Sequence, residues 1–289
     1  MIILSVVLAL LAALGNAGAS VLQRRAAAVD LSGLPGSHHL FGKLGFIRRP
    51  AWRWGAALLV VSGLAQALAL ATGPLAVVQP VMTTELLFTL VLAAIVFRRP
   101  PGVRTWGAFL GMALGLAVFL LLASPTGGLE TVPPKRWLLG AVPAAAVSSV
   151  LIVVGMRLLG SARAAVLGSA TAIGFSFTAA LIKDTLGLVS GGVEGLFATW
   201  QIYTAAAVGL GSFLLLQATL RAGSLAASQP ALTLGDSLLS VILGVALFEE
   251  QIDLGWRVLP EAAALGLIAL ASVHLSSSPV VSGKEEQRW

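Results

Sequence analysis

The sequence is poor in charge and has no cysteine. Only 10% of its 289 residues are charged, 57% are hydrophobic, and the mean hydropathy is +0.95. A soluble domain needs roughly 25% charged residues to cover its surface, so an ordinary soluble protein is excluded. The lack of cysteine excludes a disulfide framework and a thiolate metal site. The composition therefore predicts an all-α membrane protein that crosses the bilayer several times.

Catalytic motifs are also missing. The sequence contains no HExxH or GxSxG pattern, no Ser/His/Asp grouping and no Walker-type phosphate loop. His38 and His39 lie in a loop and His274 near a helix end, and none has a carboxylate or cysteine at ligand spacing, so the histidines do not predict a metal site. We therefore predict that the protein is not an enzyme or a self-contained ATP-driven pump, and that it needs no cofactor.

Apolar stretches near the bilayer-spanning length of about 20 residues recur along the chain. They are residues 2–22, 54–72, 75–97, 105–123, 137–156, 164–182, 200–220, 225–248 and 256–275. No basic residue precedes the first stretch and its first charge is Arg24, so we interpret it as a span and not as a signal peptide. This predicts nine helices.

The predicted helices form two related halves. Residues 73–97 and 223–247 share 7 identities in 25 positions at an offset of 150, and Trp106 matches Trp256 at the same offset. We predict a first repeat at 1–123 with a basic loop at 23–53, a linker at 124–134, a second repeat at 135–275 and a polar tail at 276–289. The third and eighth helices are five spans apart and therefore antiparallel. Inverted repeats of this kind favour a transporter, because a central site can open to each side in turn.

Basic residues predict the orientation of the chain. With the N-terminus outside the cell, the cytoplasmic segments hold 14 of the 18 Lys and Arg residues. The outer side keeps Lys135, Arg136, Lys183 and Arg257. The positive-inside rule therefore predicts a multi-pass plasma-membrane protein with its N-terminus outside and its C-terminus in the cytoplasm. Because the basic residues flank helices, the net charge of +6 does not indicate a nucleic-acid partner.

Polar residues inside the spans mark the candidate site. Pro80 and Pro230 should each free a backbone carbonyl four residues earlier, which needs a partner or a wet cavity. The residues predicted to contact or shape a substrate site are Gln66, Gln79, Pro80, Gln217, Gln229, Pro230 and Thr233. The alternative role of the prolines is to kink helices for packing, and the alternative role of the amides is to join helices.

Two carboxylates lie near the middle of the bilayer. Glu85 is about 15 Å along the third helix and Asp236 about 17 Å along the eighth, at about 1.5 Å per residue. Each should be protonated, paired with a donor or bound to a cation. On the eighth helix, Asp236 belongs to a polar stripe, whereas Glu85 lies about 120° around its helix from Gln79. We predict that Glu85 or Asp236 carries a coupling proton; the alternative is that both acids only join helices.

A family resemblance follows from these segments. The run VSGLAQALALATGPLAVVQPVMTTELLFTLVLAAIVFRR at 61–99, followed by WGAFLGMALGLAVFLL, resembles the drug/metabolite transporter superfamily. The run QATLRAGSLAASQPALTLGDSLLSVILGVALFEEQ resembles its EamA-like domains. The resemblance covers most of residues 54–275. It implies a secondary transporter that moves a small metabolite or drug-like solute by alternating access, with the solute and the lipid bilayer as partners; a homodimer is compatible with it.

An alternative within that superfamily is magnesium transport. Nine spans with a basic loop after the first are similar to NIPA-type magnesium transporters, in contrast to the usual ten-span exporters. Those transporters have an acid in a Gly-x-Gly-Glu context near the position of Gln66, where this chain reads Ser-Gly-Leu-Ala-Gln. Hard cations prefer charged oxygen ligands, so the divalent-cation function is the alternative. A cation channel and an assembly subunit without transport also stay open.

Overall fold

The computed structural model describes residues 2–31, 50–96, 102–122, 128–188, 193–222 and 225–251, and parts of 259–271. These residues form an all-α structure. Its helices are α1 Ile2–Leu31, α2 Pro50–Thr72, α3 Leu75–Met82, α4 Glu85–Val96, α5 Val103–Leu122, α6 Pro134–Arg157, α7 Gly160–Leu188, α8 Val193–Leu196, α9 Trp200–Ala222 and α10 Leu225–Phe248. Further helical pieces lie between residues 259 and 271.

Seven of the described helical segments are long and apolar enough to cross a membrane. They are Ile2–Gln23, Pro50–Thr72, Leu75–Val96, Pro134–Arg157, Gly160–Leu188, Trp200–Ala222 and Ala231–Phe248. Large apolar side chains cover their outer faces, such as Leu64 on α2, Leu139 on α6 and Leu210 on α9, each more than 60% exposed. The all-α, membrane-compatible architecture is thus confirmed. The predicted fourth span contains a shorter apolar helix, Trp106–Phe119, and most of the ninth lies outside the described residues. The count of nine stays a prediction.

Small residues bring the helices of each half together. Gly15 of α1 lies directly against Ser62 of α2, and Gly174 of α7 lies directly against Ser212 of α9. In both places even a methyl group on the glycine would collide with the serine hydroxyl as it stands. Helices that associate in lipid are enriched in such small residues, because close backbone approach maximises packing contacts.

The interior of the bundle is built from α1, α3, α7 and α10. Every residue of α3 is buried. α7 and α10 run in the same direction, since Gly168 approaches Ala231, Ala172 approaches Gly235, and Lys183 near the end of α7 reaches Glu250 just after α10. α3 begins where α10 ends, because the position of a Gly244 side chain lies 3.4 Å from the Ala76 amide nitrogen. The helices α2, α6 and α9 lie outside this group.

The predicted third span is not one continuous helix. α3 ends at Met82, Thr83 and Thr84 form a turn, and α4 begins at Glu85. The amides of Thr83 and Thr84 bond three residues back, to the carbonyls of Pro80 and Val81, at 3.2 and 3.0 Å. Their hydroxyls donate to the same two carbonyls, each at 2.7 Å. Pro80 has no amide hydrogen to donate within the helix. The hydroxyls of Thr83 and Thr84 also compete with backbone amides for the carbonyls of the helix, so the break lies just after Pro80.

The predicted end of the sixth span is also wrong. We placed it at Ile182, but α7 continues to Leu188 and includes Lys183 and Asp184. Asp184 is fully buried and Lys183 is largely so. The helix can continue through these charges because both side chains have polar partners inside the protein, as described below. The eighth predicted span, by contrast, coincides with α10.

Candidate functional site

Glu85 is placed by the break that follows α3. It is the first residue of α4, where the helix dipole favours a carboxylate. Asn16 of α1 donates a hydrogen bond from Nδ2 to Glu85 Oε2 at 3.2 Å. The predicted offset of about 120° from Gln79 assumes a continuous helix, whereas a turn at Thr83 and Thr84 lies between the two residues. Glu85 remains half-buried, at the contact between α1 and α4.

Asp236 lies at the contact between α10 and α7. The hydroxyl oxygen of Ser176 is 2.7 Å from Asp236 Oδ1 and 3.0 Å from the Asp236 carbonyl oxygen. It is also 3.0 Å from the carbonyl oxygen of Ala172, one turn earlier on α7. A serine hydroxyl has one proton to donate, so it cannot satisfy three acceptors together. The Asp236 side chain is half-buried, and Ser176 is fully buried.

A second group of polar side chains lies between α3 and α10. Gln79 is 3% exposed, and the hydroxyls of Ser237 and Ser240 are buried without a hydrogen-bond partner among the described residues. At about 100° per residue, both serines lie within about 40° of Gly244 around α10, on the side where Gly244 meets α3. Buried hydroxyls without partners are costly, which makes Ser237 and Ser240 candidates for a role beyond packing.

The other predicted site residues are distributed unevenly. Pro80 is buried next to Gln79, and Thr233 is half-buried on the α3-facing side of α10. Gln66 of α2 and Gln217 of α9 are half-buried, on helices that pack chiefly against α1 and α7, so the structure does not bring them to the α3–α10 contact. Gln229 and Pro230 lie within α10, which continues as a helix through Pro230, and their side chains are outside the described part of the structure.

Sequence reasoning missed a charged cluster at one end of the bundle. Glu250 is 2% exposed and accepts hydrogen bonds from the amides of Leu75 and Ala76, at 2.7 and 3.0 Å. Lys183 forms an ion pair with Glu250 at 2.7 Å and donates to the carbonyl of Gly73 at 3.0 Å. We call these groups the Lys183–Glu250 cluster. Lysine and glutamate near the ends of predicted spans looked solvent-exposed, and nothing in their spacing paired them.

Asp184, next to Lys183, is held by a different set of donors. It accepts from the Val132 amide at 2.7 Å, from Trp137 Nε1 at 3.0 Å and from Gln201 Nε2 at 3.0 Å. The Trp137 ring packs edge-to-face on Phe177, with ring centroids 5.3 Å apart. One sequence feature indicates that the helix continues through Lys183 and Asp184: the apolar stretch Thr-Leu-Gly-Leu-Val follows them. In the part of the chain that the structure describes, no group of three or more His, Asp or Glu could hold a metal ion.

Comparison with known proteins adds one relative. The chain is similar to an uncharacterized protein of Corynebacterium glutamicum, with 28% identity over 282 residues that cover 95% of each chain. No protein-family model and no solved structure matches the chain. The relative shows that the whole length of the sequence, and not one segment, recurs in another protein.

Proposed function

We propose that the protein is a secondary transporter of the drug/metabolite transporter type, which moves a small polar solute across the membrane by alternating access and couples this movement to protons. The observation that supports it best is the contact between Asp236 and Ser176. A half-buried carboxylate on a membrane-length helix has a single neutral side-chain donor, and ionisable residues in such places mark proton or ion pathways.

The contacts within the two halves support an inverted repeat. Gly15 meets Ser62 in the first half and Gly174 meets Ser212 in the second, and the two serines differ by the offset of 150 found in the sequence. Each intramembrane acid bonds to the span that comes two before its own in the same half. Glu85 bonds to α1, and Asp236 bonds to α7. Two copies of one unit in opposite orientations are an arrangement that many alternating-access transporters use.

Ser176 offers Asp236 a partner in both protonation states. When the carboxylate is ionised, the serine hydroxyl donates to Oδ1. When the carboxyl group is protonated, it donates to the serine oxygen instead, and the serine proton turns to the carbonyl of Ala172 or of Asp236. Loading and releasing a proton then requires only that one hydroxyl rotates, without a large movement of either helix.

The solute site in this proposal lies between α3 and α10. Gln79, Ser237 and Ser240 present neutral donors and acceptors, and the broken α3–α4 helix lies beside them. Uncharged hydroxyl and amide groups suit a polar organic solute better than a divalent cation, which prefers charged oxygen ligands. Magnesium transport is therefore the second outcome that the experiment must distinguish.

Reconstituted vesicles test this function. Purified protein in proteoliposomes is challenged with magnesium, read by a trapped indicator, and with pooled metabolites, read by proton movement. We expect proton movement without magnesium entry, lost in Asp236→Asn and unchanged in Glu130→Gln, an exposed carboxylate. Asn cannot release a proton, yet it retains an oxygen and donors for Ser176. Magnesium entry that Asp236→Asn abolishes would instead make the protein a cation transporter, and unchanged coupling in Asp236→Asn would refute the role of Asp236.

A further inference from the structure

The Lys183–Glu250 cluster joins the two halves of the molecule. Glu250 and Lys183 belong to the second half, whereas their backbone partners, Gly73, Leu75 and Ala76, belong to the first. One carboxylate oxygen accepts from both Leu75 and Lys183, and the other accepts from Ala76. The ammonium of Lys183 also lies 4.9 Å from the centre of the Phe248 ring. A single buried ion pair therefore holds the start of α3 against the ends of α7 and α10.

The local chain fixes Glu250 firmly to the second half. Glu249 has φ of 54°, which turns the chain back at the end of α10, and the Glu250 amide bonds to the carbonyl of Gly244 at 3.1 Å. Any side chain at Gly244 would collide with the Glu250 carboxylate. The carboxylate is thus positioned from α10, and α3 is the element that it binds.

α3 is separated from the neighbouring helices at both of its ends. It is only eight residues long, and the turn at Thr83–Thr84 separates it from α4. At its other end, Gly73 and Pro74 separate it from α2. The amides of Leu75 and Ala76 join α3 to the carboxylate of Glu250. Hydrogen bonds to a charged group are strong when water is excluded and weaken once water reaches them.

The two levels of the bundle differ in their access to solvent. Asp236 and Glu85 are half-buried, whereas the side chain of Glu250 is 1% exposed. Seven residues of α7 separate Ser176 from Lys183, about 10 Å at about 1.5 Å per residue. The described conformation is therefore closed at the level of the cluster.

We propose that Lys183 and Glu250 form a gate that closes this end of the molecule, and that the gate opens when Glu250 releases the amides of Leu75 and Ala76 and α3 tilts at the Thr83–Thr84 turn. This inference rests on the proposed transport function, because only a protein with alternating access needs such a gate. The absence of native cysteine makes it directly testable, since one introduced cysteine is the only thiol present.

The experiment measures the labelling of a cysteine behind the gate. Ala76→Cys, whose parent residue is 3% exposed, is made in the full chain, purified in detergent and treated with a water-soluble maleimide. We expect slow but complete labelling in the wild-type background, as the gate opens transiently. Adding Glu250→Gln or Lys183→Met should speed the labelling at least tenfold. Ala13→Cys on α1, fully buried and eight residues, about 12 Å, along α1 from Ser5, which approaches Gly73, should stay unlabelled in every background.

Two results would overturn the gate. If Ala76→Cys is labelled equally fast in all three backgrounds, or never labelled, the ion pair does not control access. If Ala13→Cys also becomes labelled in Glu250→Gln, the pair holds the fold together and is not a gate. Because labelling needs no solute and no flux, this test can fail while transport is demonstrated, or succeed while transport is not found.

Discussion

Carboxylates of the same chemistry have three different environments in this protein. Asp184 receives three neutral donors, and Glu250 receives two amides and an ammonium group. Glu85 and Asp236 each receive one neutral side-chain donor. A carboxylate surrounded by donors is fixed in place, because every lone pair in use ties it to another element. A carboxylate with one donor keeps free acceptor capacity for a proton or a solute, which distinguishes Glu85 and Asp236 from the others.

Asp184 should therefore matter for folding and not for transport chemistry. Asp184→Ala leaves the Val132 amide, the Trp137 indole and the Gln201 amide without their acceptor, and each unpaired buried donor costs about 1–3 kcal/mol. We expect a large loss of thermal stability, read as the fraction of monodisperse protein after heating in detergent. Asp184→Asn keeps one acceptor oxygen and should lose less.

Glu130→Ala is the matched control for this measurement, since Glu130 is exposed and its backbone, not its side chain, approaches Gly187. It should leave thermal stability unchanged. An Asp184→Ala protein as heat-resistant as the wild type would show that the three donors find other partners, and that the aspartate does not fasten the 128–134 segment to α7 and α9.

At the scale of helices, the sequence predicted which helices form better than it predicted where they break and end. The limits of α10 follow from one apolar run that ends in Glu249 and Glu250. The break after Pro80 was only half predictable: the missing donor was evident, but its position depends on hydroxyl bonds of Thr83 and Thr84 that hydropathy does not register. The extension of α7 through Lys183 and Asp184 depends on partners more than 15 residues away in sequence, which periodicity within one helix cannot reveal.

The glycine contacts within each half give a prediction at this scale. Gly15→Val and Gly174→Val should each force a helix pair apart, because the added side chain meets Ser62 on α2 or Ser212 on α9. Overpacking of this kind typically costs about 1–3 kcal/mol. We expect both variants to melt at lower temperature than the wild type in detergent, and by similar amounts if the two halves are equivalent.

The same helices provide the control for the glycine test. Gly63 on α2 and Gly211 on α9 have no atom within 4 Å of the position of an added methyl group. Gly63→Val and Gly211→Val should therefore melt like the wild type. Equal destabilisation at all four positions would mean that valine itself, and not the contact with serine, is responsible; no destabilisation at any of them would mean that the helix pairs are loosely packed.

For the whole molecule, the polar groups are ordered along the bundle. Ser176, which bonds to Asp236, lies seven residues before Lys183 on α7, about 10 Å along the helix from the Lys183–Glu250 cluster. Under the predicted topology, the end of the bundle that holds the Lys183–Glu250 cluster faces outward. The side of the membrane that this end faces thus depends on an orientation that is predicted only from the distribution of basic residues.

Cysteine labelling on intact cells tests that orientation. Val103 and Leu159, which are 89% and 83% exposed, should both lie on the cytoplasmic side, and the exposed Lys135 should lie outside. In the cysteine-free chain, we expect a membrane-impermeant maleimide to label Lys135→Cys on intact cells, and to label Val103→Cys and Leu159→Cys only after permeabilisation. The reverse labelling pattern would show that the orientation is the opposite of the predicted one and that the gate faces the cytoplasm. Labelling of Val103→Cys and Leu159→Cys from opposite sides would instead refute the predicted succession of spans, because two crossings, by α5 and α6, return the chain to the side from which it started.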